Sequence, residues 1–131
     1  MMLNRALQSY QSINAHTSVG ISEPADLILL VFEKLFDHLN AAEQDLSRGE
    51  NAQVPFDKAI DIFTIGLVPA LDLERGGQIA ANLASLYDWS IRHLLKAKIH
   101  KDAAMVREVH DVLLPIYESW RDAVVPLGKV A

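Results

Sequence analysis

No cysteine occurs in the 131 residues. Disulfides, thiol catalysis and cysteine-based zinc sites are thereby excluded, and a reducing compartment is the simplest fit. Long apolar runs are also missing. The longest is Leu27 to Phe32, and a block of six residues cannot span a bilayer, which takes about 20 in a helix. Met1 to Tyr10 carry one arginine and no continuous apolar stretch, so no signal peptide is expected. A positive excess is lacking: the net charge is -5, which disfavours nucleic acid and anionic membrane as partners. No stretch alternates polar and apolar residues long enough to make a half-buried strand.

What is present is helical period. Half of the residues are hydrophobic, enough to bury a core in one domain of residues 1–131. A short first helix is predicted over about 2–11, with a polar connection to residue 21 and a helical core over 22–125. Ser22 is a fitting N-cap for the second helix, with Pro24 in its first turn and Gly49 as C-cap. Ile28, Phe32, Leu35, Leu39, Ala42 and Leu46 form a heptad-like stripe on it. Phe56, Ile60, Phe63, Leu67 and Ala70 repeat that spacing on a third helix starting near Pro55, where Gly66 and Pro69 predict a bend or early end. A fourth helix runs from 73 or 77 to about 99, with Ile79, Leu83, Leu86 and Leu94 inward. The fifth runs over about 102–125, N-capped by Asp102 and lined by Val106, Val109, Leu113, Ile116, Trp120 and Val124, with a kink predicted at 111–115 from Pro115. The expected fold is all-α: an antiparallel four-helix bundle with a short N-terminal capping helix and a tail over 126–131.

Catalytic chemistry finds no foothold. The histidines are His16, His38, His93, His100 and His110, and the residue three before each is never glutamate, so a carboxylate-bridged di-iron bundle is excluded. They read as ordinary surface histidines. Gly76-Gly77 lacks the Lys-Ser/Thr of a phosphate loop and a preceding strand. The pair reads first as a site of close helix packing and second as a simple turn into the fourth helix. Trp89, Trp120, Tyr87 and Tyr117 read as core or groove lining. No metal or cofactor is expected, and the chain is read as a non-enzyme.

One apolar excess stands out. Leu30 points away from the core stripe of the second helix with Leu27 and Leu29 at its flanks, and Ile65 lies opposite Phe56 with Ile62 and Val68 flanking. Either the first helix covers these residues, or they line a groove for a helix of another protein. The expected groove is Leu27, Leu30, Ile62, Ile65 and Val68, with Leu3, Leu7 and Tyr10 as a movable cap. Self-association through the same surface, as a helical adaptor or homo-oligomeric structural protein, is the alternative.

The segment Leu71-Asp72-x-Glu74-x-Gly76-Gly77-x-Ile79-Ala80-x-Asn82-Leu83-x-x-Leu86-Tyr87-Asp88 resembles the signature of the flagellar export chaperone family FliS. Pro24-x-x-Leu27-Ile28, Lys58-Ala59-x-x-Ile62, Glu108-Val109 and Trp120 extend the resemblance over about residues 8–124. The chain departs from the family with Ile21-Ser22-Glu23-Pro24 and Leu30-Val31-Phe32-Glu33-Lys34, and with Pro115 in the last helix. The resemblance implies a cytoplasmic helical bundle that binds the C-terminal region of flagellin, prevents early polymerisation and aids delivery to the flagellar type III export apparatus. It also implies an N-terminal segment lying over part of the client surface. An export-gate component and a co-chaperone are further partners it allows, for a monomer or weak homodimer without nucleic acid or membrane insertion. Leu71, Asp72, Gly76, Gly77, Asn82, Leu83, Leu86 and Tyr87 are then an architectural signature, apart from the client contact.

Overall fold

A computed structural model describes the backbone of residues 24–130 and the side-chain surroundings of residues 26–123. The expected capping helix, with Leu3, Leu7 and Tyr10, and the expected Ser22 cap lie outside the described residues. Within them the structure is helical: α1 (Pro24–Ser47), α2 (Gln53–Asp61), a π-helical segment (Ile62–Leu67), the short turn α3 (Val68–Ala70), α4 (Leu73–His100) and α5 (Ala103–Val130). No strand occurs among the described residues.

Local chemistry sets most of the boundaries. α1 opens on Pro24, whose missing N–H is no loss in a first turn, and Asp26 complements the positive end of the helix. It closes in a Schellman motif: Gly49 takes φ +79°, its N–H donates to the Leu46 carbonyl, and the Glu50 N–H donates to the Asp45 carbonyl. Two residues, Lys101 and Asp102, connect α4 to α5. Both donate N–H to the Ala97 carbonyl, and Asp102 Oδ1 then accepts from the N–H groups of Ala104 and Met105 at 3.0 and 3.3 Å. The predicted Asp102 cap is therefore present.

The rods form a four-cornered bundle. α1 packs on α5 and α2, and α4 packs on the same two from the opposite corner. Glu33 on α1 accepts from the Tyr117 hydroxyl at 3.0 Å, while Glu43, ten residues on, pairs with Arg107, ten residues back along α5. The two helices are thus antiparallel. Lys98 pairing with Asp57 and Tyr87 packing on Phe63 place α2 and its π-helical extension antiparallel to α4. Phe32, Leu35, Phe56, Phe63, Leu94, Val106, Val109 and Leu113 fill the centre and are wholly buried. At about 1.5–3 kcal/mol for each fully buried large side chain, these eight are a dominant part of the folding energy.

Several expectations are corrected. The inner face of α4 is Ala80, Leu83, Tyr87, Ser90, Leu94 and Ala97, and Ile79 is 74% exposed instead of inward. Small residues at the facing positions let the helices approach, a preference that hydrophobicity alone does not reveal. The predicted interruption near Gly66 and Pro69 takes the form of a π-helical turn, with the Val68 N–H reaching back to the Phe63 carbonyl. Pro69 has no N–H and crowds the preceding turn, and a wider turn there relieves both. α5 runs on past Pro115 without a break, so the proline does not end the helix. Pro115 is on the exposed side, where water can satisfy the carbonyl that loses its donor.

The Gly76-Gly77 pair is a turn, not a close helix contact. Gly77 takes φ +53° and ψ −132°, and a Cβ built there would meet nothing within 4 Å. A Cβ on Gly76 would stand 2.5 Å from the Ala80 Cβ, one turn further along the same helix. Gly77 therefore sets the first turn of α4 at an angle to the rest, and Gly76 lets that turn fold down onto Ala80.

Candidate functional site

That angled first turn leaves space beside it. An apolar cleft of about 360 Å³ lies where α3 turns into α4. Its walls are Leu67, Ala70 and Leu71 on one side, Gly76, Ile79, Ala80, Leu83 and Tyr87 along α4, with Ile28 from α1 and Trp120 from α5. A second depression of about 580 Å³ shares Ile79, Leu83 and Trp120 with it and adds Pro115, Ile116 and Ser119 from α5. The two form one continuous groove between α4 and α5.

Each wall has a local cause. Leu71 is extended, at φ −72° and ψ 134°, so the chain leaves α3 and turns the corner. Asp72 then caps α4: its Oδ1 accepts from the Arg75 N–H at 3.0 Å. Its carboxylate is the one charged group among the described residues of the lining. Trp120 is held by ring contact with Phe32 at 6.3 Å and is only partly buried. Tyr87 packs on Phe63 at 5.7 Å and is 2% exposed, and burial pushes its phenol up to about 12. It therefore stays protonated at any physiological pH.

None of the five residues expected to form the client groove lines this one. Leu27 (1% exposed) and Ile62 (8%) belong to the core, which removes their claim as surplus apolar surface. Leu30 is half-buried, whereas Ile65 and Val68 are exposed. Much of the expected architectural signature instead lines the cleft: Leu71, Asp72, Gly76, Leu83 and Tyr87. Leu86 is packed against the core, and exposed Asn82 accepts from Gln78 at 2.8 Å. Gly77 shapes the cleft without lining it. Sequence reasoning missed Ile28, Leu67 and Ile116 as groove residues because their stripes read as core, and it gave Ala80 no role beyond the signature segment, whereas Trp120 was read as core or groove lining. The available signal was Ile79, a large aliphatic residue next to a glycine turn.

Two of the histidines, His93 and His110, are less superficial than expected, whereas His100 is exposed as expected. The His93 side chain is 16% exposed and stacks on Trp89 at 4.6 Å. Its Nε2 lies 3.2 Å from Glu108 Oε2 yet is out of line for a hydrogen bond. The His110 side chain is 13% exposed, edge-on to Phe36, with Nδ1 3.0 Å from Asp111 Oδ1. Adjacent residues on the helix thus do meet here. Neither histidine faces the cleft. No cluster of three or more potential metal ligands occurs among the described residues, and no helix there is long and apolar enough to cross a membrane.

Among the described residues the groove is apolar with a single carboxylate at its edge, a surface suited to contact with another chain. The family model described as flagellar protein FliS matches residues 6–126, and the chain belongs to this family. It is 35% identical over 117 residues to the flagellar secretion chaperone FliS of Salmonella typhimurium, covering 88% of this chain and 87% of that protein. It is 32% identical over 122 residues to the flagellar secretion chaperone FliSB of Pseudomonas aeruginosa, covering 92% and 96%. With FliS of Escherichia coli the identity is 27% over 128 residues, covering 95% and 93%. FliS is a chaperone family and not an enzyme family.

Proposed function

We propose that this protein binds the C-terminal region of flagellin in the cytoplasm, keeps it from polymerising early and aids its delivery to the flagellar type III export apparatus. What supports the reading is the apolar groove between α4 and α5 in a member of a flagellar chaperone family. A subunit that assembles through apolar terminal helices must have them hidden until export. A groove lined by Ile79, Leu83, Ile116 and Trp120 can receive the apolar side of such a helix. Coupled folding of the tail spends part of the contact energy on ordering, so a large interface remains releasable.

Two further surfaces belong to the proposal. Ile65 and Val68, with Leu30, offer exposed or half-exposed apolar contacts for a second stretch of the same tail. Leu3, Leu7 and Tyr10 form a movable cap that competes for client surface, and the working unit is a monomer or weak homodimer. The test is calorimetric titration with a peptide of the cognate flagellin's C-terminal region. Ile79→Asp puts a charge on a residue that is 74% exposed, so the fold should keep its helical circular dichroism. Binding should weaken at least tenfold, because the contact is lost and a carboxylate must be desolvated. Unchanged affinity would remove the groove from the client site.

A further inference from the structure

Beyond the groove, the line between α4 and α5 carries a second set of side chains. His93 Nε2 lies 3.2 Å from Glu108 Oε2, and Leu83 shares the groove wall with Ile116, so the two helices run antiparallel along this line. Between those two levels stand Trp89, one turn before His93, and Val112, one turn after Glu108. They are 37% and 41% exposed. The apolar track therefore continues from the groove to His93, about ten residues of α4 or about 15 Å. It ends on a charge. The Glu108 side chain is 58% exposed, and the nearby His93 Nε2 is left without a hydrogen bond, so the carboxylate is not committed to it. Cations next to the two residues are engaged elsewhere: Arg92 pairs with Asp88 at 3.1 Å and Arg107 with Glu43 at 3.3 Å. Trp89 is held by stacking on the His93 ring, with centroids 4.6 Å apart and planes 19° from parallel.

Resting on the groove as the client site, we infer that the client helix runs on along this track and seats one basic side chain, lysine or arginine, at its end. The ammonium or guanidinium pairs with Glu108 while the stem lies on Trp89, whose indole also attracts the cation. Lysine and arginine fit because an apolar stem can follow the track while the charged head stays at the wet rim. The basic residue stands about ten residues along the client helix from the side chain that packs on Leu83. A client carboxylate at that position is repelled by Glu108, which fixes the register of the helix in the groove. Lys96, exposed three residues past His93, closes the track, since a cation carried further would meet a like charge.

The experiment titrates the parent, Glu108→Gln, Trp89→Leu and Ile79→Asp with two peptides: the C-terminal region of the cognate flagellin and a copy with its lysines and arginines replaced by glutamine. The parent should bind the native peptide about three- to tenfold more tightly than the copy, and rising salt should narrow that gap. Glu108→Gln should weaken the native peptide by about the same factor and leave the copy unaffected, and Trp89→Leu should lower the native peptide's advantage in the same sense. Parent-like affinity of Glu108→Gln for the native peptide, while Ile79→Asp fails to bind it, overturns the basic anchor and leaves the groove standing. Parent-like affinity of both variants overturns both. Equal affinity of the parent for the two peptides, or an equal loss of both peptides on Glu108→Gln, also overturns the anchor, because no client cation is then being read.

Discussion

Replacing Gly77 by alanine isolates the backbone contribution of the turn that shapes the cleft. At φ +53° and ψ −132° the residue is outside both helical regions and in territory open almost only to glycine. An added Cβ meets no atom within 4 Å, so no contact with the surroundings enters the comparison. The cost is therefore that of holding an L-residue at these angles, about 1–3 kcal/mol. For a chain of this length that lowers the melting temperature by about 4–12 °C. Urea unfolding followed by far-ultraviolet circular dichroism should show a lower midpoint at unchanged slope. Gly77→Asn should be no better than alanine, because asparagine tolerates the left-handed helical region and ψ −132° is far from it. At Gly49, which ends α1 in a Schellman motif, asparagine should recover much of the loss that alanine causes. A Gly77→Ala protein within about 0.3 kcal/mol of the parent would refute the reasoning, since the chain could then make this corner without glycine.

Other expectations concern caps, core and protonation. Asp102→Ala removes the acceptor for two N–H groups of α5 and should cost about 1 kcal/mol by denaturant midpoint. Leu27→Asp should unfold or severely destabilise the bundle, whereas Ile65→Asp, at a residue 60% exposed, should melt like the parent; thermal melts of the two distinguish core from surface. Burial, then the Lys58 ammonium, with Asp37 opposing and Lys34 adding, holds the His38 imidazole below its ordinary 6.5. The unfolded chain then takes up the proton more readily. Stability present above pH 6.5 should be lost as pH falls through 6.5 towards the folded-state value, and His38→Gln should flatten that acid-side slope in denaturation at a series of pH values.

Reading by spacing succeeded where one helix decides its own fate. The stripe of α1 from Ile28 to Ala42 is buried as expected, and so are Val106, Val109 and Leu113 of α5. Gly49 and Asp102 end and start their helices through bonds within a few residues. It failed where a neighbour decides. On α4 hydropathy chose Ile79, but that residue is 74% exposed, and the buried face runs through Ala80, Tyr87, Ser90, Leu94 and Ala97, where α2 and α5 pack against it. On α1 the surplus residue Leu27 is core because α1 touches two neighbours and buries a wide arc.

The amino-acid order by itself determined that the described residues are helical, where α1 ends and α5 begins, and which family the chain resembles, since periodicity, caps and a signature segment are local or linear properties. It marked Gly76 and Gly77 as special without saying how. Only the tertiary structure decided that the pair makes a corner, that Ile79 faces out, and that Ile28, Leu67, Tyr87 and Trp120 share one cleft. Those residues come from four separate segments, and a groove is the space left between packed helices. The phase of each helix about its axis sets that space, and neighbouring helices fix the phase.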